Sequence, residues 1–245
     1  MIELEHLSKR YGDFTAVDDL SFKVGPGEVM GLVGPNGAGK TTTLRCLSGI
    51  IPATTGHARI GGVDVAADPV AAKRQLAFIP DEPRLFDHLT VEQHLNFVAR
   101  LYGVADWQAR AQPLLDELEM GDKRKLLPAE LSRGMKQKLA IACGLLHAPR
   151  AVILDEPLTG LDPYGIRRMK DTMRRLAGEG AAIILSSHLL DLVQEVCTHL
   201  LILKDGRKLA DGTVADVRAR YAADGAASLE DVFFRATGET ESAKA

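Results

Sequence analysis

The stretch GPNGAGKT, residues 34–41, spaces its residues as G-x-x-x-x-G-K-[ST]. The chemistry that pattern serves is phosphate binding. Gly34, Gly37 and Gly39 let a backbone that also carries Pro35, Asn36 and Ala38 wrap close to a polyphosphate and point amide N–H groups at its oxygens. Lys40 adds a mobile positive charge for the β- and γ-phosphates. The Thr41 hydroxyl is an oxygen donor for Mg2+, and Thr42 follows in the same turn. A second set lies more than a hundred residues on. AVILDEP, 151–157, puts Asp155 and Glu156 just past a short apolar strand, and ligands of open α/β sheets sit at such carboxyl ends. There Asp155 would hold Mg2+, mainly through water. Glu156 would orient and deprotonate an attacking water, a role worth roughly 10²–10⁴ in rate. A phosphate loop alone leaves kinase, GTPase and ATPase open.

A third segment, LSRGMKQKL (131–139), reads as a second anion site. Met135, Leu139, Ala142 and Leu146 recur at helical spacing, and Ser132 is a good N-cap. A helix start with small residues and bare amides suits an anion, yet it has no glycine-loop lysine like Lys40.

These residues need a scaffold. VMGLVG (29–34), LAFIP (76–80), AVILDEP (151–157), AAIILSSH (181–188) and LLILKDG (200–206) read as strands, several buried on both faces. KTTTLRCLSGI follows the first as a helix ending near Gly49. Strand–helix–strand order implies a mostly parallel sheet with right-handed crossovers. Between about 82 and 148 three helical patterns run without a strong strand, which predicts a helical subdomain inserted in the core. LLILKDGRKLADG is a hairpin turned at Asp-Gly. A short helix over 213–221, an Ala/Gly-rich break and a helical piece at SLEDVFFRATG follow. Residues 1–236 make one domain and 237–245 a disordered tail.

Bulk properties exclude several classes. The 245 residues carry a formal charge of −3 and no basic block, so nucleic acid is not an expected partner. Three scattered cysteines, Cys46, Cys143 and Cys197, suggest neither a disulfide framework nor a zinc site and suit a reducing compartment. The start, MIELEHLSKRYG, alternates like a strand and not like a signal peptide. No apolar run approaches a membrane span, so work at a membrane would need a partner that spans it.

The glycine loop, LSRGM, AVILDEP, LTGLDP and LSSH stand in the order of the ATP-binding-cassette ATPases, which the chain resembles from about residue 2 to 236. The resemblance implies an α/β fold: a P-loop NTPase (RecA-like) core, an antiparallel β-subdomain and the helical insertion. It implies ATP and Mg2+ as ligands. LSRGM resembles the family signature Leu-Ser-Gly-Gly-Gln, which caps the γ-phosphate of ATP held by a second subunit. Ser132 and Gly134 carry over, and the partner's loop supplies the missing lysine. Arg133 stands for a glycine and Met135 for a glutamine.

The resemblance assigns further roles. His188 is similar to the switch histidine near Glu156. Asp162 resembles the residue that reaches across the dimer, and it is also a plain N-cap before Pro163. Tyr11 resembles the aromatic that stacks on adenine. After AFIP the family has a glutamine that senses Mg2+ and links nucleotide to the membrane partner; here Asp81 stands there, followed by Glu82, and an acid can still meet Mg2+. The implied function is the ATP-hydrolysing subunit of a membrane transporter. It would be held at the cytoplasmic face of the cell membrane by a membrane-spanning permease subunit and would work as a head-to-tail dimer with a second ABC subunit, a homodimer by expectation. The ending SLEDVFFRATG resembles that of exporter-type subunits. The alternative is a soluble cassette ATPase acting on ribosomes or DNA. Such proteins commonly carry two cassettes or a long coiled-coil insertion, and this chain has neither.

Overall fold

The computed structural model describes residues 1–221 and 228–238. A six-stranded sheet forms the centre: β3 (Val29–Val33), β6 (Leu76–Ile79), β7 (Ala151–Asp155), β8 (Ala182–Ser186), β9 (His199–Lys204) and β10 (Arg207–Thr213). Their order is β10-β9-β3-β8-β7-β6, and all pairs are parallel except β9–β10. A smaller antiparallel sheet takes β1 (Ile2–Tyr11), β2 (Phe14–Val24), β4 (Thr55–Ile60) and β5 (Val63–Asp64) in the order β2-β1-β4-β5.

The central strands are apolar on both faces because both faces are covered. Ala151, Ile153, Ala182, Ile184, Leu201 and Leu203 face a core shared with Ile2, Leu4 and Leu7 of β1 and with Leu44 and Leu47 of α1 (Lys40–Leu47). The alternate residues Val152, Leu154, Ile183, Leu185, Leu200 and Ile202 face a helical layer. That layer includes α3 (Val91–Tyr102), α4 (Trp107–Glu117), α5 (Arg133–Leu145), α6 (Pro163–Gly178) and α7 (Leu190–Val196). The three helical patterns expected between 82 and 148 are α3, α4 and α5. A short α2 (Pro69–Arg74) precedes β6, and α8 (Val214–Tyr221) and α9 (Leu229–Thr237) pack beyond the hairpin.

Local chemistry sets most boundaries. Thr90 and Gln93 form a reciprocal capping box at the start of α3, and Gly103 ends it in the left-handed region. Asp205 and Gly206 both take positive φ, 50° and 76°, as a two-residue turn between β9 and β10 requires. Periodicity did not single out β2, β4, β5, α2 or α7. The β1–β2 ladder shifts register at three points, which breaks the alternation, and β4 is half exposed and polar. Thr237 and Gly238, expected at the start of the tail, are the last residue of α9 and its C-cap. The Ala/Gly-rich break at 222–227 and the rest of that tail, 239–245, lie outside the described residues. All three cysteines are free thiols. Burial pushes Cys46 up to about 11 and Cys143 and Cys197 up to about 12, so none is a ready thiolate.

Leu139 joins α5 to the helical core and is fully buried. Leu139→Ala is expected to lower unfolding free energy by about 2–5 kcal/mol, read from the midpoint of a urea titration.

Candidate functional site

The loop after β3 runs from Gly34 to Gly39 and opens directly into α1. Gly39, its N-cap, sits at φ 99°, and a Cβ there would come within 2.5 Å of the Ala16 carbonyl oxygen. No side chain fits. The loop is propped from two directions. The Gly206 N–H of the β9–β10 turn donates to Ala38 O at 3.1 Å, and Asp18 N–H of β2 donates to Gly206 O at 2.9 Å. Gly34 and Ala38 are buried, whereas Asn36, Gly37 and Thr41 are exposed. Lys40 Nζ donates to Gly34 O at 2.6 Å and Pro35 O at 3.1 Å. Burial draws the Lys40 pKa below the usual lysine range, opposed by the charges of Glu156 and Asp155. Its cation rests on the loop's own carbonyls and can exchange them for phosphate oxygens.

Both acids face that lysine from the end of one strand, β7. Asp155 closes β7 and is 4% exposed. Its register partner on β8 is Ser186, which is fully buried. Ser186 Oγ donates to Asp155 Oδ1 at 2.7 Å, and the Thr41 hydroxyl donates to the same oxygen at 3.3 Å. Ser186 Oγ also accepts the Glu156 N–H at 3.1 Å. Glu156 has φ 49°, in a region that costs a non-glycine residue roughly 1–3 kcal/mol. Its N–H is held by Ser186, and its Oε2 lies 2.9 Å from His188 Nδ1. Thr41, Asp155, Ser186, Glu156 and His188 therefore form one bonded chain across α1, β7 and β8. Sequence reasoning did not single out Ser186. It stood in the quoted LSSH motif, and its place at a strand end beside that of Asp155 was the available signal.

The other expected residues have partners outside this bonded chain. Ser132 caps α5, its Oγ accepting the Met135 N–H at 3.2 Å. A Cβ on Gly134 would stand 2.9 Å from Gly160 O, so α5 begins directly on the loop that leads from Glu156 to Asp162. Asp162 caps α6, accepting the Gly165 N–H at 2.6 Å, with Pro163 as first helical residue. Tyr11 is half-exposed at the end of β1, with Lys9 Nζ 4.9 Å from its ring centroid. Asp81 shares with Thr41 and Asp155 the lining of a cavity of about 920 Å³, whose walls also include Phe86, Phe97 and Leu101. Its carboxylate Oδ1 is 3.4 Å from Arg133 Nη2.

Among the described residues no group of three or more His, Cys, Asp and Glu could hold a metal by itself. The hydroxyl and carboxylate oxygens of Thr41 and Asp155 are nonetheless hard donors of the kind Mg2+ takes when phosphates supply the rest. One bonded network thus joins the first helical turn after the glycine loop to two acids, a serine and a histidine.

A family model described as ABC transporter matches residues 17–159. The chain is 34% identical over 241 residues to the ABC-type transporter ATP-binding protein EcsA of Bacillus subtilis, covering 98% of this chain and 97% of that one. It is 38% identical over 213 residues to the Nod factor export ATP-binding protein I of Paraburkholderia xenovorans, covering 86% of this chain and 70% of the relative. A solved structure of an ATP binding subunit of an ABC transporter superposes with a TM-score of 0.92 at 36% identity, over 96% of this chain and 99% of that one.

Ser186→Ala removes two bonds and leaves a buried carboxylate short of a donor. It should cost about 1–3 kcal/mol in a denaturant titration and slow ATP turnover with little change in ATP affinity; unchanged turnover would show that Asp155 and Glu156 hold their places without it.

Proposed function

This chain belongs to the ABC transporter family as an ATP-binding subunit with ATPase activity, and from that premise we propose how its residues carry out the reaction and with which partners. ATP lies with its β- and γ-phosphates on Gly34–Gly39, where Lys40 trades its carbonyl partners for phosphate oxygens. Tyr11 stacks on the base without reading its edges, an interaction that can give roughly 1–3 kcal/mol. Thr41 and Asp155, joined by a hydrogen bond, are the residues to hold Mg2+, with Asp81 as an outer contributor. When bound, the cation neutralises charge on the β- and γ-oxygens.

Glu156 takes the proton of the attacking water. The water oxygen bonds to the γ-phosphorus, and the bond from that phosphorus to the β–γ bridging oxygen breaks, leaving ADP and phosphate. His188 holds the Glu156 carboxylate on the reaction side. The observation that carries this reading is the bonded chain from Thr41 through Asp155 and Ser186 to Glu156 and His188.

Two cassettes pair head to tail, so that Ser132, Gly134 and Asp162 of each complete the ATP site of the other. In support, α5 starts at a capped N-terminus, and its first three residues, Arg133, Gly134 and Met135, include no lysine placed like Lys40. The other partner is a membrane-spanning permease subunit, which holds this chain at the cytoplasmic face. No helix of the described residues is long and apolar enough to cross a membrane. The cavity beside Asp81, with exposed Phe86, Phe97 and Leu101, suits the permease's cytoplasmic helices. Export is the direction favoured by the ending SLEDVFFRATG and by a relative whose name states Nod factor export. Both relatives described above are by name transporter or export subunits, so nothing in them favours work on ribosomes or DNA.

Glu156→Gln is expected to bind ATP, to hydrolyse it at least 10²-fold more slowly, and to elute as an ATP-dependent dimer from a sizing column. A variant that stays monomeric in saturating ATP counts against the paired site. Lys40→Ala should lose most ATP binding in equilibrium dialysis or most turnover in a phosphate-release assay; normal values for both would place the triphosphate elsewhere.

A further inference from the structure

Two positions at which this chain departs from the cassette pattern touch each other. Asp81 stands where the family has a neutral glutamine, and Arg133 where it has a glycine. They are 52 residues apart in sequence, and Arg133 Nη2 donates to Asp81 Oδ1 at 3.4 Å. The guanidinium reaches the acid by a defined route. Arg133 is the first residue of α5, and its stem lies over Gly160, where a Cβ would meet Arg133 Cδ at 2.9 Å. One helical turn on, Gln137 Nε2 donates to Pro80 O at 3.3 Å, and Gln137 is 1% exposed. Residues i and i+4 share a helix face, so Arg133 and Gln137 together grip the Pro80–Asp81 segment. The buried amide bond fixes the backbone, and the more exposed ion pair aims the carboxylate.

The acid needs such a partner. Asp81 lines the same cavity as Thr41 and Asp155. A negative charge in place of a neutral amide draws any nearby cation more strongly and raises the barrier to its release with the product. A guanidinium on the same carboxylate offsets that charge.

We propose that Arg133 is a positioning residue that holds the Asp81 carboxylate on α5 and so limits the charge it adds at the metal end of the nucleotide site. This rests on the Mg2+ reading given above for Thr41 and Asp155. Arg133 acts through Asp81, so its removal matters only while the acid is present.

The test is a four-variant cycle in the Glu156→Gln background, where ATP is not consumed. Mn2+ binding to the ATP-loaded protein is followed by electron paramagnetic resonance. Arg133→Gly is expected to tighten Mn2+ about three- to tenfold, the size of change expected of one uncompensated negative charge lining the same cavity. Arg133→Lys should stay within about twofold of the parent, because the charge is kept. In the Asp81→Gln background, Arg133→Gly should change Mn2+ affinity by less than about twofold. Because the pair is half-exposed, none of these changes should move Tm by more than about 2–4 °C, which separates aiming from folding. Equal tightening in both backgrounds would show that Arg133 acts without Asp81 and would overturn the proposal, as would no tightening at all. A parent that binds no ATP-dependent Mn2+ overturns the metal reading first, and the inference falls with it.

Discussion

A carboxylate at the end of a buried strand has to be hydrogen-bonded, because an unpaired buried charge costs several kcal/mol. Asp155 is that group here, and the arrangement of the site follows from how its need is met. Ser186 stands beside it only because β7 and β8 pair in parallel with Asp155 opposite Ser186. Thr41 reaches the same oxygen because α1 starts where β3, two strands away across β8, has ended. One residue further on, Glu156 leaves the strand in a left-handed backbone conformation, and the same serine that bonds Asp155 accepts its N–H. The Ser186 hydroxyl thus serves both the strained Glu156 backbone and the buried Asp155 carboxylate, to which Thr41 adds a second donor.

The six-stranded sheet makes this possible by presenting three strand ends at one edge. β3 lies between β8 and β9, and β8 lies between β3 and β7, so the phosphate loop, the histidine segment and the acids emerge side by side. Apolar residues on both faces lock the register, since a slip by one residue would exchange the two cores. The antiparallel sheet and the β9–β10 turn add a second constraint by wedging the phosphate loop at Ala38 and Gly39. A loop held this way is already in one shape, and under the proposed reading Lys40 is the side chain that would exchange its carbonyl partners for phosphate.

Much of this was legible in the sequence. The five strands of the core, the helix after the glycine loop, the capped start of α5 and the Asp-Gly hairpin all have local causes: two-sided burial, a side-chain oxygen accepting N–H groups one turn on, and a turn that needs positive φ. The strands β2, β4 and β5 were implied by family resemblance only, because bulges and exposed polar positions hide their alternation. The role of Ser186 was hidden for another reason. A serine in a polar tetrapeptide reads as surface, and its full burial depends on what covers the end of β8.

Asp81 and Arg133 show where sequence reading stops. Each is a departure from a pattern, and nothing in the sequence links the two. Their ion pair follows from α5 lying across the loop after β6, with Gly134 and Gly160 in close approach. By itself the sequence determined most of the strands, helices and turns of the core and marked the residue types suited to phosphate and acid chemistry, because those depend on neighbours within a few residues. Only the tertiary structure decided which acid meets which hydroxyl or cation, because strand register and helix packing set those distances across dozens of residues of chain.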